Sequence, residues 1–331
     1  MIELNRKLKG RKVLVIGGAG FIGSFVVEEL LKYPVDEVII YDNFSRGTRE
    51  NVELSLKDPR CRIFEYGGDV RELDVLEKAV AASTDVIHLA AMWLLHCRDF
   101  PRTAFDVNIA GTFNVLEACA RQGTNHLVWS SSASVYGDAV EVPMDEHHPF
   151  NNRNFYGATK ISGEAMCRAF YDRYGLSYTG LRYMNVYGPR QDQQAVYSGV
   201  IPLMLNKIAA GEAPVINGDG SQAYDFVYVR DVARANILAL AAEIPDEFFN
   251  VGTGIRTSVR ELCESIMRQK GVDLELTFKP YSEDDNRRLV KNRIGDPRKA
   301  SEMLGFLAEY TLEDGLEELI NWRLEEGIDK H

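Results

Sequence analysis

Lys12-Val13-Leu14-Val15-Ile16-Gly17-Gly18-Ala19-Gly20-Phe21-Ile22-Gly23 is an apolar run of strand length that breaks at once into a glycine-rich turn. A helical pattern from Ser24 to Lys32 follows. A buried strand, a tight turn and a helix are the opening of a βαβ unit. Glycines at 17, 20 and 23 permit the turn, a close backbone approach to a ligand, and tight packing of helix on strand. Their spacing departs from the common G-x-G-x-x-G pattern, although the physical roles are the same. The positive end of the helix would then face a diphosphate.

The next apolar run, Glu37-Val38-Ile39-Ile40-Tyr41, reads as the second strand, with Asp42 at its end. A carboxylate there accepts hydrogen bonds from ribose hydroxyls and repels a 2′-phosphate, which selects NAD over NADP. Arg46 is a counter-signal, because an arginine nearby can accommodate that phosphate. Arg62–Tyr66 and Asp85–Leu89 are the expected third and fourth strands, with a helix over 72–82 between them. Residues 103–122 carry apolar side chains at Phe105, Ile109, Phe113, Leu116 and Ala120, one face of a helix starting after Pro101. A second long helix is expected from Tyr156 to Tyr174, closed by Gly175, and then a strand over Ser177–Arg182. Beyond this the pattern loosens. A helical piece near 200–210 precedes helix starts at Ser258-Val259-Arg260-Glu261 and at Thr311 with Asp314, both with capping-box spacing. The expected fold is α/β: a Rossmann-type doubly wound parallel sheet over 1–181, and a smaller substrate-binding lobe over 182–331. Some segments of the second half would return to the sheet.

Chemistry concentrates in Tyr156-Gly157-Ala158-Thr159-Lys160 and Ser130-Ser131-Ser132. A tyrosine and a lysine four apart share one helix face, and the serines end the strand-like Leu127-Val128-Trp129. A phenol, an ammonium and a hydroxyl converging at a strand end make a site for moving a proton on or off an alcohol. A free tyrosine titrates near ~10, too high for a base at neutral pH. An ammonium ~4 Å away contributes at most about 4 kcal/mol at an effective dielectric near ~20, about three pH units before desolvation opposes it.

The 331 residues hold 38 Lys+Arg against 49 Asp+Glu, a formal charge of −11, without a basic stripe, so nucleic acid is not an expected partner. The longest apolar stretches are interrupted early, for example by His88, so no membrane partner is expected. No basic-then-apolar leader precedes the first strand, and the five cysteines form no C-x-x-C pair. A cytoplasmic protein with reduced thiols is expected. His147-His148 in a Pro-containing loop make a poor chelate, and no metal is expected.

The ordered set of motifs resembles the extended short-chain dehydrogenase/reductase superfamily, and within it the nucleotide-sugar 4-epimerases of the UDP-galactose epimerase kind. It spans Gly17-x-x-Gly20-x-x-Gly23, Tyr41-Asp42-Asn43, Gly68-Asp69-Val70, His88-Leu89-Ala90-Ala91 and Val107-Asn108-x-x-Gly111-Thr112. It continues through Ser130–Gly137, Tyr156–Lys160, Leu181–Arg190 and Asp225–Val232, so it covers nearly the whole chain. The resemblance implies an NAD-dependent epimerase acting on a nucleotide-sugar, a homodimer paired through the helices of 103–122 and 156–174. It implies that Phe21, Ile22, Asn43, Leu89, Ala90 and Ala91 line the cofactor, and that Asp69 and Val70 meet its adenine. Asn108 either touches that site or steadies its backbone. Tyr156 as phenolate would take the sugar hydroxyl proton, Lys160 would hold the nicotinamide ribose, and Ser132 would bond the reacting sugar oxygen. Asn185 would meet the substrate diphosphate.

Related dehydratases place Asp then Glu after the serine, decarboxylases tend to carry a glutamate at the Ser134 position, and some 3,5-epimerases a cysteine. This chain has Ala133 and Ser134, which leaves oxidation and re-reduction at C4 as the expected reaction. A dehydratase or decarboxylase is the alternative, and an NAD-binding regulator without turnover a more distant one. Two departures bear on the substrate. Relatives usually carry arginine where this chain has Tyr224, which loses charge and fork geometry. The position that gates sugar size is usually tyrosine or smaller and is Arg293 here. Arg287, Arg288 or Arg293 would restore the missing positive charge. The bulky Met92–Cys97 segment either shapes the sugar pocket or is core.

Overall fold

The computed structural model describes residues 2–191, 199–281 and 290–329. Strands β1 (Lys12–Ile16), β2 (Glu37–Tyr41), β3 (Cys61–Ile63), β4 (Asp85–His88), β5 (Leu127–Ser132), β6 (Tyr178–Tyr183) and β11 (Glu247–Val251) make one sheet in the order 3-2-1-4-5-6-11. Every neighbouring pair is parallel. The strands are buried on both faces, and the period of two sorts their side chains. Val13, Val15, Val38 and Ile40 join one core with Val26, Leu30, Ile237 and Leu240 of the helices Phe21–Leu31 and Val229–Ala242. Leu14, Ile16, Ile39 and Val86 join the other with Leu76, Val115, Leu116 and Cys167. The order reverses beside β1, whose last residue Ile16 pairs with both Tyr41 and His88. A crevice opens at such a reversal, outside the carboxyl ends of the strands.

After β6 the chain divides its residues. Three small sheets lie apart from the large one: β7 (Asn185–Tyr187) with β10 (Phe226–Tyr228), β8 (Val215–Asn217) with β13 (Thr277–Lys279), and β9 (Ala223–Tyr224) between β12 (Thr257–Ser258) and β14 (Asn292–Arg293). Val229–Ala242 and Glu247–Val251 go back to the large layer, the first packed on Phe21–Leu31, the second paired with β6. Both expected capping boxes are present, at Ser258 with Glu261 and at Thr311 with Asp314. Gly175 closes the helix Phe155–Tyr174 at φ +69°.

Two elements differ from expectation. The third strand stops at Ile63, because the chain turns through Glu65–Gly68 and leaves Tyr66 exposed at the sheet edge. The helix expected over 103–122 begins at Pro101 and passes through a π-helical stretch, Phe105–Ala110, before the regular helix Gly111–Gln122. The wider π turn rotates the following side chains. Phe105 and Phe113 therefore face outward, 47% and 45% exposed, while Val115, Leu116, Ala118 and Cys119 take the core.

Candidate active site

The glycine turn works as its spacing predicts. Gly17 holds φ +84°, and a Cβ on it would lie 2.7 Å from the Ala90 amide nitrogen. A Cβ on Gly23 would lie 2.0 Å from the Gly17 carbonyl oxygen. The Asp42 carboxylate accepts from the amides of Ala19 at 2.9 Å and Phe44 at 2.8 Å, pinning the turn to the end of β2. Burial raises its pKa, against these amide bonds. Asp69 is held by Arg71, which lowers its pKa, and its carbonyl accepts from Tyr41 Oη at 2.8 Å. The result is a cleft of about 620 Å³ lined by Gly17, Gly20, Phe21, Ile22, Gly23, Asp42, Asn43, Asp69, Val70, Leu89, Ala90, Ala91, Tyr156 and Lys160. That size and shape suit a dinucleotide laid over a helix N-terminus, so the residues present fit NAD.

Asn108 stands behind this cleft. Its Oδ1 accepts from the Met92 amide at 2.7 Å, and its Nδ2 donates to the Met92 carbonyl at 2.9 Å and Thr159 Oγ1 at 3.1 Å. Both ends of the amide are used, so it ties the 92 loop to the helix that carries Tyr156 and Lys160. The π turn is what brings it there. Trp93 and His96 line the cleft, Trp93 Nε1 donating to His96 Nδ1 at 3.0 Å with the Arg46 guanidinium 5.0 Å above the indole. Sequence reasoning left the Met92–Cys97 segment, with Trp93 and His96, between pocket and core and did not place Arg190 in the cleft. Arg190 was legible as the last residue of the Tyr187-Gly188-Pro189-Arg190 motif. It pairs with Glu28 at 2.5 Å.

Tyr156 and Lys160 occupy the first turns of Phe155–Tyr174, whose N-cap Asn154 accepts from the Gly157 amide at 2.8 Å. Ser132 ends β5 and accepts from the Ser134 amide at 3.1 Å, while the Lys160 Nζ lies 5.8 Å from the centre of the Tyr156 ring. Ser132 thus caps the turn that follows β5. Lys160 is buried and donates from Nζ to the Ser130 carbonyl at 2.6 Å. Desolvation pushes its ammonium down to about 8. Desolvation also pushes the Tyr156 phenol up to about 12, against the pull of the Ser132 hydroxyl and the Arg293 guanidinium. Burial therefore outweighs the cationic help expected for this tyrosine, even with the Lys160 ammonium 5.8 Å from its ring centre.

The strand end is fixed from below. Glu164 accepts from Ser131 Oγ at 2.6 Å and takes Arg182 through Nε at 2.9 Å and Nη2 at 2.7 Å, all buried. Arg182 Nη1 donates to Tyr136 Oη at 2.8 Å. Ser130 Oγ and Tyr183 Oη lie 3.0 Å apart, and Tyr183 donates to Asn236 at 3.0 Å.

On the second lobe, Asn185 opens β7 with its amide donating to the Asp225 carbonyl at 2.9 Å. Tyr224 donates from Oη to the Val290 carbonyl at 3.0 Å. Arg293 pairs in register with Tyr224 across β14 and β9. Arg287 and Arg288 lie outside the described residues. His148 uses both ring nitrogens within its loop, Nε2 accepting from Val140 at 2.9 Å and Nδ1 facing the Pro149 carbonyl at 2.9 Å. Among the described residues no helix is long and apolar enough to cross a membrane.

Comparison with known proteins places these features. Residues 13–252 match the model of the NAD dependent epimerase/dehydratase family. The chain is 34% identical to the UDP-glucose 4-epimerase of Mycolicibacterium smegmatis over 315 residues, 94% of this chain and 98% of that one. Among solved structures it resembles the UDP-N-acetylglucosamine 4-epimerase of Methanobrevibacter ruminantium, solved with UDP-N-acetylmuramic acid, at 32% identity and a TM-score of 0.89, covering 96% of this chain and 99% of that one. It also resembles DesIV, a dTDP-glucose 4,6-dehydratase of Streptomyces venezuelae solved with NAD, at 27% identity and a TM-score of 0.87, covering 96% and 99%. The chain belongs to the NAD dependent epimerase/dehydratase family, with NAD as its cofactor.

Proposed function

We propose that this protein is a 4-epimerase of a nucleotide-activated hexose, of the UDP-sugar type. The observation that carries the reading is the buried Lys160 with its Nζ 5.8 Å from the Tyr156 ring centre, in a site where β5 ends on Ser132 followed by Ala133 and Ser134. Tyr156 accepts the proton of the C4 hydroxyl and later returns it. Ser132 orients that oxygen by hydrogen bonding to it, and Lys160 fixes the cofactor ribose. NAD, when bound, supplies the hydride acceptor that becomes the donor. Gly17, Gly20, Phe21, Ile22, Gly23, Asp42, Asn43, Asp69, Val70 and Leu89–Ala91 are the proposed NAD contacts; Asn185, Tyr224 and Arg293 are those of the nucleotide-sugar.

Ser132 is followed by Ala133 and Ser134, neither of which supplies a second acid or base, and the carboxylates lining the cleft among the described residues are Asp42 and Asp69. Named relatives that are 4-epimerases support the same choice. We place the enzyme in the cytoplasm, since five buried free thiols suit a reducing compartment. We also propose a homodimer through the two long helices, on which Phe105, Phe113, Phe155 and Tyr174 are each at least 45% exposed. Light scattering at twice the chain mass checks it.

The decisive assay incubates holoenzyme with UDP-hexoses and follows product by NMR. The expected product is the C4 epimer with its C4 hydrogen retained and no accumulation of NADH. Deuterium entering C5 from solvent, or loss of water or carbon dioxide, refutes the reading. Tyr156→Phe is expected to lose about 10²–10⁴-fold in turnover, the scale of a missing acid/base group, while NAD stays bound.

A further inference from the structure

Two segments from opposite sides of β1 meet in the cleft. β1 lies between β2 and β4, so the chain leaving those two strands rises on either side of the glycine turn. The segment after β2 carries Arg46, the segment after β4 carries Trp93, and both residues line the cleft. The Arg46 guanidinium sits over the Trp93 ring, 5.0 Å from its centre. A side chain from one wall therefore rests on a side chain from the other.

Both ends of this bridge are held. On the Arg46 side, the Thr48 amide and Asn51 Nδ2 donate to the Ala19 carbonyl at 3.2 and 2.9 Å. A Cβ on Gly47 would lie 2.7 Å from the Ala19 carbonyl carbon, so the segment is pressed onto the glycine turn. On the Trp93 side, Met92 is tied through its amide and its carbonyl to Asn108. Trp93 Nε1 donates to His96 Nδ1 at 3.0 Å, which fixes the plane of the indole.

Arg46 is exposed and Trp93 partly buried. A guanidinium on an indole is worth little in open water and more where water is kept away. A dinucleotide filling the cleft removes that water, so its binding strengthens the contact. Linkage is reciprocal: what the cofactor adds to the contact, the contact adds to the hold on the cofactor. We infer that Arg46 and Trp93 form a clasp across the cleft that slows release of the cofactor. This goes beyond the epimerase reading and rests on NAD binding alone. A reaction that takes its hydride back from the cofactor it has just reduced needs that cofactor to stay.

The test is the rate at which NADH leaves the protein. NADH-loaded wild type and variants are mixed with excess NAD in a stopped-flow instrument, without sugar, and the loss of bound nicotinamide fluorescence is followed. Arg46→Ala and Trp93→Ala should each speed release by about 3- to 30-fold, the range of a cation–π contact from exposed to desolvated. The double variant should release no faster than the faster single variant, because either substitution already opens the clasp. Arg46→Lys and Trp93→Phe keep a cation on an aromatic face and should fall between wild type and the alanine variants. A change below about twofold in Arg46→Ala, an exposed position whose loss leaves the fold intact, overturns the inference. So do accelerations that multiply in the double variant, since each side chain would then meet the cofactor on its own. Neither result touches the epimerase reading, which the sugar product decides. Absence of a C4 epimer removes that reading and leaves the clasp to the release rates.

Discussion

Lys160→Met should cost the enzyme its activity and remove a pH dependence of its stability. Lys160 is 6% exposed and its ammonium is pushed by burial from its ordinary 10.5 to about 8. At ~1.4 kcal/mol per unit, the folded protein carries a penalty of about 3 kcal/mol at neutral pH for keeping this cation. The sign follows from proton counting. Between about 8 and 10.5 the unfolded chain holds the proton and the folded chain does not, so stability rises with pH through that window. From pH 7 to 10 the wild type should gain about 2–3 kcal/mol relative to Lys160→Met, in which methionine keeps the chain length without the charge. At pH 7 the variant's own stability reflects two opposed effects. It sheds the penalty, and the Ser130 carbonyl loses a 2.6 Å donor worth about 1–3 kcal/mol. The pH difference is therefore the cleaner quantity. Guanidinium melts of cofactor-stripped wild type and variant at both pH values measure it, other titrating groups cancelling between the two proteins. A wild type whose stability relative to the variant is flat or falls from pH 7 to 10 refutes the reasoning. The same variant should bind NAD more weakly, an activity-for-stability exchange common where a functional charge is buried.

Three further outcomes are expected. Gly23→Ala puts a Cβ 2.0 Å from the Gly17 carbonyl oxygen, a backbone atom that has nowhere to retreat. NAD binding by calorimetry should fall by more than about 100-fold while the far-UV spectrum is kept, and near-normal affinity would show that the turn is not what holds the diphosphate. Asp42→Ser removes the acceptor of two amides and the charge opposing a 2′-phosphate. NAD should bind roughly tenfold more weakly and NADP more tightly, and an unchanged ratio would assign the choice elsewhere, with Arg46 the next candidate. Glu164→Gln leaves Arg182 buried without its counter-charge, both side chains being at most 5% exposed. Denaturation should show a loss of about 3–5 kcal/mol, and a loss below about 1 kcal/mol would mean the pair is solvated in solution.

What the sequence disclosed and what it hid follow from the range of the forces involved. The turn of Gly17–Gly23 and the Tyr156–Lys160 spacing are local, set by backbone sterics and helix pitch, and both were readable residue by residue. The π stretch of Phe105–Ala110 was not, because a wide turn has no composition of its own. It is stabilised by tertiary bonds from Asn108 to Met92 and Thr159, which only the packed molecule brings together. The state of Tyr156 was hidden for the same reason. Helix spacing placed Lys160 beside it, as found, but burial sets the phenol high, and a second cation, Arg293, arrives from the far end of the chain on β14. This long-range pairing also joins two substitutions that looked unrelated in sequence. Tyr224 and Arg293 are register partners on β9 and β14. Their adjacency is set by strand pairing, which no spacing in the sequence discloses.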